Sequence, residues 1–209
     1  AILVLNDGKQ VITSQVFNSI PAFVSDVTKP PRSTFLWQHF KGWIIETEGE
    51  VFDADTPILM DFCEGKAQKE VQFFYVLPYS AKKALVEFTV FSAELFSEGV
   101  YDQKLRSYLY SRFKISSYRI TATEKGAIPM TDRIFPAGNT SKIMNIGTAG
   151  GWVKPSTGYA FTRTIDRSRS LIAEMEAGVN PIAAAPMPHG RFTFYDRLLL
   201  NILTEDSRE

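Results

Sequence analysis

The sequence predicts an α+β fold in which an antiparallel sheet and a strand–turn–helix region occupy separate parts of the chain. Residues 34–92 contain short runs of aromatic and β-branched side chains between turn signals, a pattern typical of antiparallel strands. Residues 98–113 carry apolar side chains at helical spacing. Residues 142–158 form an apolar strand that runs into a glycine-rich turn, and a helical pattern follows.

The composition favours a globular protein without a broad charged surface. The chain has 209 residues, 44% of them apolar and 22% charged, and its net charge is zero. This balance gives no support to nucleic-acid binding, and no apolar run reaches membrane-spanning length. The single cysteine, Cys63, excludes an internal disulfide and is typical of a reducing compartment. Two distant histidines, His39 and His189, provide no metal-ligand cluster.

The first part of the chain is predicted to be rich in strands. The turn signal Asn6-Asp7-Gly8-Lys9 indicates a hairpin, and a Pro-containing linker at 25–33 separates it from the strands that follow. Lys41-Gly42 is predicted to interrupt the next strand pair. The predicted strands are Ile2–Leu5, Val11–Phe17, Phe35–Phe40, Trp43–Thr47, Ile58–Phe62, Phe73–Leu77 and Ala84–Phe91.

The second part of the chain is predicted to hold three helices and two strands. The first helix covers 98–113, with Ser97 as its N-cap, and strands follow at Tyr118–Thr123 and 142–146. Gly178 is expected to end the second helix, and the last runs from Phe192 to Leu203. The second helix carries one stripe made of Phe161, Ile165, Ser168, Ile172 and Met175.

Two acidic residues stand in apolar strands and are candidates for acid–base chemistry. Alternation places Glu87 on one strand face with Leu85, Thr89 and Phe91. Since both faces of that strand are largely apolar, burial should raise the pKa of Glu87 and make it a proton donor. Pairing with a nearby Lys or Arg is the structural alternative. Asp61 is similar, and a role in capping a turn at the strand end is its alternative.

The turn at 147–158 is the candidate cofactor contact. Glycine lets backbone N–H groups approach an anionic ligand closely, and a helix N-terminus adds positive partial charge. The spacing Gly-x-Gly-x-x-Gly of a first dinucleotide turn is absent from the chain. A crowded strand–helix junction, with Ser156 or Thr157 as N-cap, remains the alternative.

Six stretches together resemble lycopene cyclases of the bacterial flavoprotein type. Each pattern is weak alone, but they cover nearly the whole chain in the order found in that family. The stretches are Trp37-Gln38-His39-Phe40-Lys41-Gly42-Trp43, Leu59-Met60-Asp61-Phe62, Leu85-Val86-Glu87-Phe88-Thr89-Val90-Phe91-Ser92, Gly126-Ala127-Ile128-Pro129-Met130, 147–159 and 191–200.

The resemblance implies a flavoprotein fold related to aromatic hydroxylases and geranylgeranyl reductases. Residues 1–24 would then be a hairpin of the FAD domain, 34–130 a substrate-binding sheet domain with one helix, and 131–209 the C-terminal part of the FAD domain. The implied reaction converts the ends of lycopene to rings by protonation and carbocation closure, with reduced FAD and no net redox change.

The resemblance also implies roles for particular residues. Glu87 matches the acidic motif of the family, and Asp61 is the second candidate acid. Aromatic and apolar side chains would line the carotenoid site and stabilise a cation by about 0.5–2 kcal/mol per ring. The implied substrate contacts are Phe88, Phe91, Trp37 and Met130. The implied FAD contacts are Gly147, Ala149, Gly150, Gly151, Pro155, Ser156, Thr157 and Gly158.

One departure from the family pattern leads to an expectation about this chain. The N-terminal glycine fingerprint that holds the ADP half of FAD is missing, and so is the acid about 20 positions later. We therefore expect the chain to be the middle and C-terminal part of a cyclase. As isolated it should bind FAD weakly or not at all and be inactive.

The sequence is also compatible with two other functions and with a membrane contact. A flavin-dependent monooxygenase or isoprenoid reductase would share the fold but has no need of a protonated Glu87. A fragment that binds apolar ligands without turnover is the third reading. Because lycopene is insoluble in water, a cytoplasmic protein attached peripherally to the inner membrane is expected. The last helix could contact lipid or pack on the core, through Phe192, Phe194, Leu198, Leu199 and Ile202.

Overall fold

The α+β prediction is confirmed by the computed structural model, which describes residues 2–20, 34–62, 70–132, 140, 142–179 and 190–205. Cys63 and His189 lie outside these ranges. The strands are β1 (Ile2–Val4), β2 (Gln10–Ile12), β3 (Val16–Asn18), β4 (Phe35–Glu46), β5 (Ile58–Asp61), β6 (Val71–Ser80), β7 (Lys83–Ser92), β8 (Arg119–Thr131) and β9 (Ile143–Asn145). The helices are α1 (Glu98–Phe113), α2 (Phe161–Glu176) and α3 (Gly190–Glu205).

The chain divides into two compact units. One, here called the sheet unit, comprises Phe35–Met130 and Leu200–Glu209. The other, the split unit, comprises Ala1–Thr34 and Thr131–Leu199. Helix α3 therefore begins in the split unit and ends in the sheet unit.

The sheet unit is built on a five-stranded sheet in the order β5-β6-β7-β4-β8. Strand β7 lies at its centre and pairs antiparallel with β6 and β4. Strand β4 runs continuously through Lys41 and Gly42, so the predicted interruption there is wrong. Gly42 lies inside the strand and leaves room for the side chains of Glu124 and Leu85. Strand β8 is longer than predicted because Gly126–Met130 continues the strand begun at Arg119.

Helix α1 covers one face of this sheet, as its apolar stripe predicts. Tyr101, Leu105, Tyr108 and Leu109 are buried against strand residues such as Phe88. The ring of Tyr108 stacks on Phe74 with 3.9 Å between ring centroids. Alternation along β6 and β7 explains this packing, because every second residue points to the helix. The remaining residues of β7, Glu87 among them, point to the opposite face.

The split unit contains two small sheets. β1 and β2 form the predicted hairpin, but the predicted second strand Val11–Phe17 is divided. Its C-terminal part is β3, which pairs in parallel with β9 rather than antiparallel within the hairpin. The parallel pair places the glycine turn directly after the carboxyl end of β9.

Helix α2 matches the predicted range but none of its residues is buried. Phe161, at its first position, is 79% exposed. Gly178 takes φ +70° after the helix and donates its N–H to the Met175 carbonyl, in agreement with its predicted role at the helix end. Within the described residues, no helix combines the length and apolar character that crossing a bilayer requires.

Candidate active site

Glu87 lies in the middle of β7 on the sheet face that α1 does not cover. The register places Tyr75 of β6 opposite it on one side and Gly42 of β4 on the other. Leu85 and Thr89 flank it along the strand and are both buried. The side chain is itself only partly accessible. This surrounding gives the carboxyl little water.

The carboxyl of Glu87 is held near its protonated form at neutral pH. Burial raises the pKa of Glu87 from its ordinary value to about 7, and the neighbouring carboxyl of Glu124 adds to the rise. The Thr89 hydroxyl works in the other direction, since it donates a hydrogen bond of 2.8 Å to Glu87 Oε1 and favours the ionised carboxylate. Desolvation is the largest of these effects.

Glu124 reaches Glu87 because Gly42 has no side chain. A Cβ placed on Gly42 would lie 2.9 Å from Glu124 Cγ and 3.0 Å from Glu124 Oε1. It would also lie 2.9 Å from Leu85 Cδ1. Glu124 was not among the sequence-predicted site residues. The available signal was Gly42 itself, because a glycine inside a strand often marks a close approach by another group.

Several aromatic rings lie on the same sheet face as Glu87. Phe73 is edge-on to Tyr75 and to Phe91, with centroid distances of 5.4 Å in both pairs. Phe62 lies 5.3 Å from Phe73, and the Phe40 ring packs against the backbone of Gly126. Of these rings only Phe91 was a sequence candidate. The other rings alternate with core residues along their strands, and only the register of β4 and β6 with β7 shows that they lie on the Glu87 face.

The remaining candidate substrate contacts lie elsewhere in the sheet unit. Phe88 is fully buried on the α1 side, near Phe74 and Tyr101. Trp37 shares strand parity with His39, which contacts α1, and packs edge-on against Phe35. Phe88 and Trp37 therefore face away from Glu87.

Met130 forms a small cluster on the Glu87 side of the sheet. It packs with Leu36 and with Leu200 of α3, and Phe91 lies at the edge of the same cluster. Met130 is thus connected to the Glu87 face through Phe91 and not by lying next to the acid.

Asp61, the second candidate acid, has well-matched partners on the α1 side. The Tyr108 hydroxyl donates a hydrogen bond of 2.8 Å to Asp61 Oδ2, and Arg112 Nε lies 3.5 Å from the same oxygen. Its register partner Phe74 stacks on Tyr108. With a hydroxyl donor and a guanidinium beside the same oxygen, Asp61 has the environment of a structural ion pair.

Backbone hydrogen bonds and unusual glycine conformations shape the turn at 147–158. Gly147, Gly151 and Gly158 have φ of +54°, +69° and +70°, which a side chain would strain. A Cβ on Gly150 would run into the Asn145 carbonyl oxygen, so this glycine is required for internal packing. Trp152 N–H donates to the Gly147 carbonyl at 2.9 Å and closes the first part of the turn.

A buried carboxylate from α3 fixes the second part of the turn. Asp196 Oδ1 accepts a hydrogen bond from Ser156 Oγ at 2.5 Å and pairs with Lys154 Nζ at 2.9 Å. Ser156 and Asp196 are 1% and 2% exposed. Arg163 lies on the other side, 3.7 Å from Asp196 Oδ2. The Ser156 hydroxyl therefore binds the protein itself, and Asp196 is a structural residue that the sequence patterns did not single out.

A buried histidine network stabilises the α1 side of the sheet. Tyr101 Oη lies 2.6 Å from His39 Nδ1, and Ser92 Oγ lies 2.7 Å from His39 Nε2. Burial lowers the pKa of His39 to about 4, although a contact with the Glu94 backbone opposes the shift. A neutral imidazole with both nitrogens engaged fits a structural role. The described part of the chain contains no group of three His, Cys, Asp or Glu side chains arranged for a metal.

The fold resembles solved structures of a reductase-like class. A geranylgeranyl bacteriochlorophyll reductase-like protein from Thermoplasma acidophilum superposes with a TM-score of 0.53 over 92% of this chain and 47% of its own, at 13% identity. At this identity the likeness establishes the fold alone. It agrees with the expectation that the fold is related to that of geranylgeranyl reductases.

The sequence itself identifies the family. Residues 1–196 match the model of the family described as "Lycopene cyclase protein", and the chain belongs to that family. It is 27% identical over 139 residues to the chloroplastic lycopene beta cyclase of Arabidopsis thaliana, a match that covers 59% of this chain and 26% of that protein. It is 26% identical over 204 residues to the chromoplastic capsanthin/capsorubin synthase of Citrus sinensis, covering 88% and 39% respectively. The chain thus spans well under half the length of these relatives.

Proposed function

We propose that this chain provides the proton-donating part of a lycopene cyclase, with Glu87 as the acid that starts ring closure. The observation that carries the proposal is the environment of Glu87, a carboxyl with a pKa of about 7 among aromatic rings. Membership of the lycopene cyclase family supports the substrate class. A redox enzyme of the same fold would have no use for such an acid.

The proposed reaction begins with transfer of one proton from Glu87 to a terminal double bond of lycopene. The carboxyl O–H bond breaks, a C–H bond forms from the alkene electron pair, and a tertiary carbocation remains. A second double bond of the same end attacks this cation and closes the ring. Loss of a proton from a ring carbon then restores a double bond, so protons balance and no oxidant is consumed.

The rings around Glu87 suit the cationic stages. Aromatic faces attract a cation by about 0.5–2 kcal/mol each, more where water is excluded. Phe91 and Phe73 lie on the face of the acid, and Tyr75 stands opposite Glu87 in the register. We assign the carotenoid end to this face. Of the substrate contacts expected from the sequence, Phe91 lies on this face, and Met130 lies farther from the acid in the cluster that Phe91 borders.

The turn after β9 is a suitable place for part of an FAD molecule. It follows the carboxyl end of a strand in a parallel pair, where ligands commonly bind, and glycines keep its backbone accessible. Gly147, Ala149, Gly151, Pro155, Thr157 and Gly158 would hold the cofactor, while Gly150 and Ser156 maintain the turn. When bound in reduced form, FAD would supply an electron-rich ring without a net redox step.

We also propose that the protein collects its substrate at a membrane surface. Lycopene resides in lipid, and α3 exposes Phe192, Phe194 and Leu198 with 54%, 64% and 48% of their surfaces accessible. An amphipathic helix can hold a protein at the interface through such side chains. The inner face of a bacterial membrane remains our expectation for the location.

Pigment analysis tests the proposed activity. The longest natural form of the protein that contains these residues would be expressed in lycopene-accumulating bacteria, beside Glu87→Gln and a matched control, Glu50→Gln, at an exposed carboxylate. We expect cyclic carotene from the native and control proteins and at least a hundredfold less from Glu87→Gln, in line with the loss of a general acid, about 10²–10⁴-fold.

Two other outcomes would contradict the role of Glu87 or the cyclase activity. Cyclic product from Glu87→Gln at the native level would remove Glu87 as the acid. Unchanged lycopene with the native protein, provided that it is folded and loaded with flavin, would contradict the cyclase proposal and favour a redox enzyme.

A further inference from the structure

We propose that Glu124 is a positioning residue that shares a proton with Glu87 through the gap left by Gly42, and that it returns a proton to Glu87 after each turnover. The catalytic meaning of this pair rests on the proposed cyclase function, but the pair itself does not. The three residues belong to adjacent strands of the sheet unit, and no contact between the two units enters the argument.

The geometry of the strands brings the carboxyls together. Gly42 is the register partner of Glu87 and lies between it and β8. In place of a Gly42 side chain, the Cγ of Glu124 occupies the space, 2.9 Å from where a Cβ would be. The Glu87 and Glu124 side chains therefore both lie beside Gly42 on the same sheet face, and the Glu124 carboxyl contributes to the raised pKa of Glu87. Any larger residue at position 42 would fill this passage.

Among the residues that the structure describes, neither Glu87 nor Glu124 forms a salt bridge with a cation. From β6, Tyr75 faces Glu87, and from β4 only Gly42 lies beside it. The closest lysines along β4 and β8, Lys41 and Lys125, both pair with Glu98 of α1 on the other face. Two carboxyls that lie this close without a cation between them favour a single shared proton.

The different exposure of the two acids gives the proton a direction. Glu87 is partly buried, while Glu124 is exposed. After Glu87 gives its proton to the substrate, a proton from water can pass through the exposed Glu124 carboxyl to the Glu87 carboxylate, so that an O–H bond forms on Glu124 and breaks as the Glu87 O–H bond forms. The proton released by the ring returns to water. The cycle is balanced and requires no other reactant.

Carboxyl titration followed by NMR tests the pair directly. In the full chain with ¹³C-labelled glutamate carboxyls, Glu87→Gln identifies the Glu87 signal. We expect Glu87 to titrate near pH 7 in the native chain and about one unit lower in Glu124→Gln, because the hydrogen bond and the Coulomb repulsion from the Glu124 carboxyl, which both raise the pKa of Glu87, are lost. Gly42→Ala should shift the titration in the same direction by separating the carboxyls.

Gly49→Ala is the matched control, since its added Cβ would meet nothing within 4 Å. The Glu87 titration should be unchanged in that variant. An unchanged Glu87 titration in Glu124→Gln would overturn the proposal. Should Gly42→Ala fail to fold, Glu124→Gln still decides the question, because its side chain is exposed and its shape is preserved.

Activity separates a failure of this inference from a failure of the proposed function. With the longest natural form, the alkaline limb of the pH–rate profile should move about one unit lower in Glu124→Gln, following Glu87. If the native enzyme is active but its pH–rate profile does not move in Glu124→Gln, the role of Glu124 is refuted and the proposed cyclase function still stands. If Glu87 and Glu124 titrate as a coupled pair but the protein makes no cyclic product, the proposed function is refuted and the carboxyl pair still stands.

Discussion

Two acids in apolar strands illustrate how the surroundings of a carboxyl decide its chemistry. Glu87 has a hydroxyl donor and a second carboxyl as neighbours, whereas Asp61 has a hydroxyl donor and a guanidinium. Burial and the Glu124 carboxyl raise the pKa of Glu87 to about 7, whereas Asp61 takes part in a structural ion pair. We therefore propose Glu87, and not Asp61, as the proton donor.

Asp61→Asn tests this distinction. We expect cyclic carotene at close to the native level, because Asn retains an acceptor for the Tyr108 hydroxyl and the lost ion pair to Arg112 is partly exposed. The free energy of unfolding should fall by less than about 1 kcal/mol. Pigment analysis and urea denaturation measure the two quantities. A loss of product as large as that in Glu87→Gln, in a folded protein, would return Asp61 to the catalytic group.

The sequence could predict the face of Glu87 but not all of its neighbours. Alternation along one strand was sufficient to separate Glu87 and Phe91 from Phe88. The partners of Asp61 become visible only when α1 docks, since Tyr108 and Arg112 are 47 or more positions away along the chain. Glu124 stands in a strand segment that is mostly exposed, where a polar residue gives no signal of function.

At the scale of elements, the glycine turn depends on a helix far from it in sequence. Asp196 of α3 accepts the Ser156 hydroxyl and pairs with Lys154, 40 and 42 positions earlier. A turn of backbone groups with positive φ has little intrinsic rigidity, because glycine loses much conformational entropy when it is ordered. The buried carboxylate supplies the missing constraint.

Asp196→Asn should loosen this turn. The neutral amide weakens two interactions with Lys154 and Arg163 and leaves their charges less well compensated, so we expect a loss of about 2 kcal/mol in unfolding free energy. Amide hydrogen exchange should rise at Gly150–Gly158 beyond the rise in β7. Asp166→Asn, at an exposed position of α2, is the control. Unchanged exchange in the turn would show that Asp196 does not stabilise it.

Element prediction succeeded where packing agrees with local pattern and failed where a partner strand decides. Helix α1 has the predicted range and the predicted buried stripe. The stripe of α2 is present, yet no residue of that helix is buried. The sequence pattern predicts a break in β4 at Gly42 because glycine often indicates a turn, whereas in the structure this glycine leaves room for the Glu124 side chain. β3 does not belong to the predicted hairpin, because it pairs with β9, which lies more than a hundred residues later in the chain.

At the scale of the whole molecule, His39 and Glu87, whose pKa values are both shifted, make opposite contributions to the pH dependence of stability. The folded chain keeps His39 neutral down to about pH 4 and Glu87 protonated up to about pH 7. Both are in the sheet unit but on opposite faces of the sheet. Their ordinary values of 6.5 and 4.5 apply to the unfolded chain.

The signs of the two contributions follow from proton counts. Between pH 4.5 and 6.5 the unfolded state holds the extra proton on His39, so that this residue makes stability rise with pH. In the same window the folded state holds the extra proton on Glu87, which makes stability fall as pH rises. The two slopes should largely cancel, and stability in the native chain should change little across this range.

Glu87→Gln should uncover the contribution of His39. We expect the unfolding free energy of this variant to rise with pH by about 1 kcal/mol per unit between pH 4.5 and 6.5, and to exceed that of the native chain increasingly toward pH 7. Urea denaturation at a series of pH values, followed by tryptophan fluorescence, measures this dependence, and Glu50→Gln should follow the native curve. A native curve that already rises as steeply as that of Glu87→Gln would mean that the acid does not hold its proton in the folded state. In that case the central requirement of the proposed mechanism would be lost, because a carboxylate that is already ionised at neutral pH cannot start the cyclisation.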